Sequence, residues 1–309
     1  VIFADDLGYA DLGCFGADSI KTPRLDRMAA EGTRFRHATV PQSVCTPSRA
    51  ALMTGMHEFR NGVTHTLAPR EHLDRVAITL PQLLRDAGYR TGFIGKWHLG
   101  FHEPFLPWNQ GFDHYFGLLH NLDPVEVVYF DDKGGVPLIR NGDVVKRPAD
   151  PSELTKLYTD EAIGFIEKNK DRPFFLYLPH TMPGSTRESF ASERFKGKSA
   201  NGTYGDAVEE LDWSMGEILK ALEENGIDRE TLVIWTSDNG PQTRKNVAHG
   251  QIGIAAEGRH QTHDQFGGGR AECNDGQTDH QRGNAQVARQ GGRAGDQAVG
   301  APDEQNESA

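Results

Sequence analysis

The sequence predicts an α/β fold in which a largely parallel central sheet is flanked by helices. Short apolar runs alternate with amphipathic helical segments as far as residue 240. Four of the apolar runs also end in polar clusters, as expected where an open parallel sheet builds a site beyond the carboxyl ends of its strands. Taken in order, residues 1–4 (Val-Ile-Phe-Ala) read as a strand running into Asp5-Asp6. Residues 46–54, with Pro47 near the start and Ala50, Ala51, Leu52 and Met53 following, read as the opening of a helix. Leu80, Leu83, Leu84 and Ala87 mark one helical face, and residues 91–94 a strand running into Lys96-Trp97-His98. Residues 127–145, with Asp132-Lys133-Gly134-Gly135 and Asn141-Gly142, read as a hairpin excursion. Leu154, Tyr158, Ala162, Phe165 and Ile166 form a second helical face, followed by a strand at 174–178 that leads into His180. The most regular helix carries Val208, Leu211, Met215, Ile218, Leu219 and Leu222, with Gly226 as its stop. A last strand at 232–236 runs into Asp238-Asn239.

Composition narrows the function classes. Lys and Arg number 33 against 44 Asp and Glu, a net charge of −11, which argues against a nucleic-acid groove and an anionic membrane surface. An anionic substrate would therefore need a local positive site. Three cysteines, Cys14, Cys45 and Cys273, with no Cys-x-x-Cys pair suggest neither a disulfide framework nor a zinc knuckle. No apolar run approaches the ~20 residues of a membrane helix. The chain opens inside a strand without an initiator Met, so an N-terminal piece is expected to precede it.

The polar clusters carry the chemistry. Asp5, Asp6, Asp238 and Asn239 offer the hard oxygen ligands that Ca²⁺ or Mg²⁺ takes. An Asp-Asp pair after a strand is ordinarily a turn or a cap; three carboxylates meeting at one sheet edge would repel unless a cation or basic side chains neutralised them. Cys45 would by itself be a small buried residue. Its place at the start of a helix puts it where backbone N–H groups and the helix dipole favour a bound anion. Lys96 and His98, with Trp97 between them to anchor the loop, suit sulfate-like oxygens and a leaving group. His180 alone reads most simply as a structural histidine.

Four motifs stand in order: Ala4-Asp5-Asp6-Leu7-Gly8-Tyr9, Cys45-Thr46-Pro47-Ser48-Arg49, Gly95-Lys96-Trp97-His98-Leu99-Gly100 and Thr236-Ser237-Asp238-Asn239-Gly240. Together they resemble, over residues 1–240, the type I sulfatases of the arylsulfatase A-like group. The Cys-x-Pro-Ser-Arg run is the mark by which a formylglycine-generating enzyme recognises the thiol it oxidises to an aldehyde. The resemblance implies an alkaline-phosphatase-like α/β fold and hydrolysis of a sulfated small molecule or carbohydrate. It further implies a divalent cation, usually calcium with magnesium as the alternative, held by Asp5, Asp6, position 45, Asp238 and Asn239. Residue 45 would be formylglycine, whose hydrate uses one hydroxyl to displace the alcohol from sulfur and the other to expel sulfate. By the same resemblance Arg49 holds residue 45, Lys96 neutralises sulfate oxygens, and His98 orients or deprotonates the hydrate. Relatives are commonly periplasmic, secreted or lysosomal.

The chain departs from the pattern twice. Where relatives carry the His that protonates the leaving alcohol, position 184 is Gly, leaving His180 as the candidate acid. The match stops after Pro241, and over residues 250–309 Gly, Gln, Arg, Asp and Ala are abundant and bulky apolar residues rare. A catalytic domain is therefore expected at 1–240 and a disordered, aberrant tail at 241–309, with a frameshift as the hypothesis for its origin and with the family's C-terminal subdomain missing. Two rival functions follow: a phosphate or phosphonate ester hydrolase on the same fold, and a non-catalytic remnant.

Overall fold

The computed structural model describes residues 1–35, 37–65, 73, 77–122, 133–184 and 188–241. All of these lie in the unit Val1–Cys273; Asn274–Ala309, the chain's second unit, falls outside the described residues. The expectation for the tail at 241–309 therefore lies outside them too, apart from Pro241, as does the first run of the expected hairpin excursion at 127–130.

Seven strands form one sheet: β1 (Ile2–Asp5), β2 (Arg90–Lys96), β3 (His114–Leu118), β4 (Leu138–Arg140), β5 (Asp143–Lys146), β6 (Phe174–Pro183) and β7 (Trp235–Ser237). Their spatial order is β5-β4-β3-β2-β6-β1-β7. The five strands from β3 to β7 in that order pair in parallel, and β4 and β5 close one edge as an antiparallel hairpin. The hairpin turns at Asn141-Gly142, both with positive φ (49° and 97°), the pairing that a two-residue turn between twisted strands requires. The strands β3, β4 and β5 were not anticipated singly, being short.

The helices are α1 (Pro23–Glu31), α2 (Cys45–Thr54), α3 (Glu58–Asn61), α4 (Leu80–Asp86), α5 (Leu154–Asn169) and α6 (Gly202–Glu224). Alternate residues of each strand face opposite layers. Ile2, Ala4, Ile94, Phe116, Leu118 and Leu178 pack against Tyr158, Ala162 and Ile166 of α5 and Val208, Leu211, Met215 and Ile218 of α6. Phe3, Phe93, Tyr115 and Tyr177 face the other way, with Ala50 and Met53 of α2. The expected stripes on α5 and α6 are thus the core stripes. On α4 the expected face is only partly used: Leu83 and Ala87 remain exposed on a helix of two turns.

Strand β6 differs from expectation in a way that matters for the site. It runs to Pro183 rather than ending near Leu178, and its register slips: Phe3 opposes Pro179, yet Asp5 opposes Pro183. His180 therefore lies inside a strand, within the irregular stretch, and not beyond a strand end. β2 and β6 approach closely here; a Cβ on Gly95 would stand 1.9 Å from the Pro179 carbonyl oxygen, so the residue preceding Lys96 must be glycine.

Candidate active site

Three of the four polar clusters, Asp5-Asp6, Lys96-Trp97-His98 and Asp238-Asn239, converge at the carboxyl edge of the parallel strands. Asp5 is the last residue of β1 and Lys96 the last of β2, while Asp6, His98, Asp238 and Asn239 sit one to two residues past the strand ends. Asp6 and His98 adopt positive φ (58° and 59°), sharp turns that return the chain over the sheet edge. From the facing layer, α2 presents Cys45 at its first position and Arg49 one turn later on the same face. Pro47, in the first turn, costs the helix no hydrogen bond. Trp97 is buried and donates from Nε1 to the Phe105 carbonyl at 3.0 Å, anchoring the loop between Lys96 and His98 as expected.

Arg49 is the hub. Its Nη2 lies 2.8 Å from Asp5 Oδ1 and 2.8 Å from Asp238 Oδ2, and its Nη1 donates to the Lys96 carbonyl at 2.8 Å. Lys96 Nζ reaches both Asp5 oxygens, at 2.8 and 3.0 Å. The Asp6 amide donates to Asp238 Oδ1 at 3.1 Å, Asn239 Nδ2 donates to Asp6 Oδ1 at 2.6 Å, and Cys45 Sγ stands 3.9 Å from that same oxygen. His98 is 1 % exposed, and its amide donates to the Leu119 carbonyl at 3.1 Å.

The charge balance in this dry cluster is uneven: three carboxylates, Asp5, Asp6 and Asp238, face two cations, Arg49 and Lys96, all buried. Burial opposes ionisation of Asp5, but Lys96 and Arg49 outweigh it and hold its carboxyl down at about 2. Asp6 receives no such help; burial, then Asp5 and Asp238, push it up to about 8. Burial and Asp5 raise Asp238 to about 6 against the pull of Arg49. Burial also pushes the Cys45 thiol well above its usual range, so an unmodified Cys45 is a poor nucleophile.

Two buried oxygens, Asp6 Oδ2 and Asn239 Oδ1, have no hydrogen-bond partner among the described residues. Ligand atoms of Asp5, Cys45 and Asp238 lie within 4.8 Å of one another. An excess negative charge, orphaned hard oxygens and clustered ligand atoms together fit a divalent cation. A stability test follows. With chelator present, Asp6 and Asp238 keep protons in the folded chain that the unfolded chain releases near pH 4. These two carboxyls therefore contribute a loss of stability as pH rises from about 4 through about 8, against the opposite contributions of His180 and the Val1 amino group. Because added calcium removes only the carboxyl contribution, the gap between the calcium and EDTA curves should widen over that range. Thermal unfolding across this range in EDTA and in calcium chloride checks it; parallel curves would count against a cation here.

Two other positions need correction or comment. His180, the candidate acid, does not join the cluster: its Nε2 lies 3.3 Å from Ser214 Oγ on α6, in the opposite helical layer. Burial pulls its pKa down to about 3, which keeps the imidazole neutral near neutrality. Gly184, by contrast, is at the site. Its amide donates to the Asp5 carbonyl at 2.9 Å, and a Cβ there would stand 3.9 Å from Asp5 Oδ2. With φ of +77° and the Thr181 carbonyl oxygen 2.5 Å from that Cβ position, this backbone excludes any larger residue without rearrangement.

Two serines had no assigned role in the sequence reading. Ser48 Oγ donates to the Asp238 carbonyl, tying α2 to the β7 loop. Ser237 Oγ accepts from the amides of Leu7 (3.2 Å) and Gly240 (3.4 Å), joining the two acidic loops. Both lie inside the quoted motifs, which was the available signal.

Comparison with known proteins settles the family. A family model described as Sulfatase matches residues 1–266. The chain belongs to the sulfatase family. It is 39 % identical over 264 residues to N-acetylgalactosamine-6-sulfatase of Mus musculus, covering 78 % of this chain and 49 % of that protein. It is 38 % identical over 285 residues to arylsulfatase A of Homo sapiens, covering 85 % of this chain and 56 % of that one. The crystal structure of Ps i-CgsB superposes with a TM-score of 0.70 at 35 % identity, covering 80 % of this chain and 59 % of the other. The chain thus spans about half the length of the curated relatives it matches. The alkaline-phosphatase-like α/β fold expected from the sulfatase motifs is the one observed. Among the described residues no helix is long and apolar enough to cross a membrane.

Proposed function

We propose that this chain carries the catalytic core, residues 1–240, of a sulfuric ester hydrolase that cleaves sulfate monoesters. The observation that carries the reading is the gathering of Cys45, Arg49, Lys96, His98 and the two acidic pairs at one strand edge. The substrate class is a sulfated carbohydrate, in keeping with the sugar named for its mouse relative. The partner required for maturation is a formylglycine-generating enzyme acting on Cys45.

The residues divide the work. The amino terminus of α2 and the ammonium of Lys96 draw the sulfate group toward position 45. Arg49, clamped by Asp5, Asp238 and the Lys96 carbonyl, keeps position 45 in place from one turn below. His98, on the strained turn after β2, holds or takes the proton of the attacking hydroxyl. Asp5, Asp6, residue 45, Asp238 and Asn239 would hold calcium, or magnesium in its place. Such a cation, when bound, lowers the pKa of the attacking hydroxyl and offsets charge on the sulfuryl oxygens. Formylglycine at 45, as its hydrate, supplies two hydroxyls on one carbon, one for attack and one for release.

The test has two stages. After expression alongside the modifying enzyme, mass spectrometry of the peptide containing Cys45 should show an aldehyde in place of the thiol; a thiol in every molecule would refute the maturation step. The modified chain should then turn over nitrophenyl sulfate faster than the matching phosphate mono- and diesters, and the reverse order would point to the phosphate or phosphonate reading. Gly184 favours one second reading, a protein that binds sulfated sugars without cleaving them, since no side chain at 184 offers the leaving alcohol a proton and His180 faces away. Sugar binding without sulfate release, after confirmed modification, would establish it.

A further inference from the structure

The turn that carries Asp5 and Asp6 is held from a distance. Beyond Asp6, the Gly8 amide donates to Asp11 Oδ2 at 3.0 Å and lies 3.4 Å from the Tyr204 hydroxyl. That hydroxyl, which comes from the first turn of α6, donates to the same Asp11 oxygen at 2.6 Å. Asp11 and Tyr204 are 4 % and 2 % exposed. The carboxylate is packed so tightly on the backbone that a Cβ on Gly8 would stand 2.3 Å from Asp11 Oδ2. A phenyl ring would fill the same apolar space beneath α6; what the phenol adds is a short hydrogen bond to a buried carboxylate, the charge-assisted kind that fixes geometry. Asp6 itself needs such support. It sits at φ of 58°, in the left-handed region that non-glycine residues adopt uncommonly, and its amide is committed to Asp238.

We propose that Tyr204 and Asp11 are positioning residues for the cation site: by fixing Gly8 they hold the turn that presents the Asp6 carboxylate to Asn239 and Cys45. Helix α6, whose buried stripe otherwise serves the core, is thereby coupled to the site. The inference rests on the reading of Asp5, Asp6, Asp238 and Asn239 as cation ligands. Loss of a group bonded directly to a metal ligand costs roughly 10–100-fold in metal affinity; Tyr204 and Asp11 act through the Gly8 amide, two residues from Asp6, so the low end of that range is expected.

The experiment is a calcium titration by isothermal calorimetry on the full chain, stripped with EDTA, for wild type, Tyr204→Phe and Asp11→Asn. Tyr115→Phe serves as control, since that buried hydroxyl has no hydrogen-bond partner among the described residues. Tyr204→Phe should weaken calcium binding about 10-fold, while Tyr115→Phe leaves it unchanged. A calcium affinity shared by wild type and Tyr204→Phe overturns the proposal, as does a Tyr204→Phe chain that is less stable in EDTA yet binds calcium normally, because the contact is then purely structural. Should Tyr204→Phe fail to fold, Asp11→Asn gives the same reading, with the same weakening expected and an unchanged affinity again decisive against it. A wild-type chain that takes up no calcium overturns the cation reading itself, a result distinct from equal affinities.

Discussion

Arg49→Met is expected to lower folding stability by about 3–5 kcal/mol, because removing one member of a buried ionic group leaves the others uncompensated. Arg49 is 1 % exposed and hydrogen-bonds both Asp5 and Asp238. Without it, Lys96 alone faces three buried carboxylates, and methionine fills the volume without supplying charge. The sign of the pH dependence separates this from a packing defect. Asp5 is now ionised down to about 2, chiefly through Lys96 and Arg49 acting against burial. In the variant Asp5 and Asp238 would titrate higher, so the folded chain would keep protons to higher pH. The penalty should shrink as pH is lowered toward 4 and grow toward 8. Urea unfolding in EDTA at several pH values measures it; a loss below about 1 kcal/mol, or one independent of pH, would show that the carboxylates do not depend on the guanidinium.

Cys45→Ser is expected to abolish steady-state sulfate release, by a factor on the order of 10⁶ as for loss of other enzymic nucleophiles. The argument is chemical. Serine keeps one hydroxyl at the amino terminus of α2, within the field of Lys96, so it can still attack sulfur. It lacks the second hydroxyl on the same carbon, so nothing expels the sulfuryl group, and the chain should accumulate with the mass increase of one such group on the peptide containing position 45. Intact-protein mass spectrometry after incubation with a sulfate ester reads this out. Turnover by the variant at near wild-type rate would remove formylglycine from the mechanism. An unmodified Cys45 gives no alternative route, since burial pushes its thiol well above the range in which a thiolate would form.

Much of the site was legible because most of its residues follow parallel strands, and the rule that ligands bind beyond the carboxyl ends of such strands converts three separate motifs into one place. Asp5, Asp6, Lys96, Asp238 and Asn239 needed only that rule. Cys45 and Arg49 needed the helical repeat of α2, signalled by Pro47 and the run from Ala50 to Met53, which puts both on one face. What stayed hidden was the end of β6. Its strands are covered on both faces, so hydrophobic alternation fades and gives no sign of where pairing stops. The strand was expected to end near Leu178 and in fact continues to Pro183, with a slip in register against β1. His180, on the same strand face as Leu178 and Met182, meets Ser214, and the continuation of the strand puts Gly184 beside Asp5.

By itself, the sequence determined the kinds of groups this sulfatase family member offers: hard oxygen donors, two cationic side chains and a histidine, placed by local spacing, and a thiol that the motif resemblance marks as oxidisable. Only the tertiary structure decided which of them meet. It joined Asp6 to Asn239 and Asp11 to Tyr204 across more than 190 residues of chain, and it set His180 against Ser214. The reason is that local patterns report which face a side chain takes relative to its own backbone, whereas the register between neighbouring strands and the layer a helix covers are set by packing across the whole sheet.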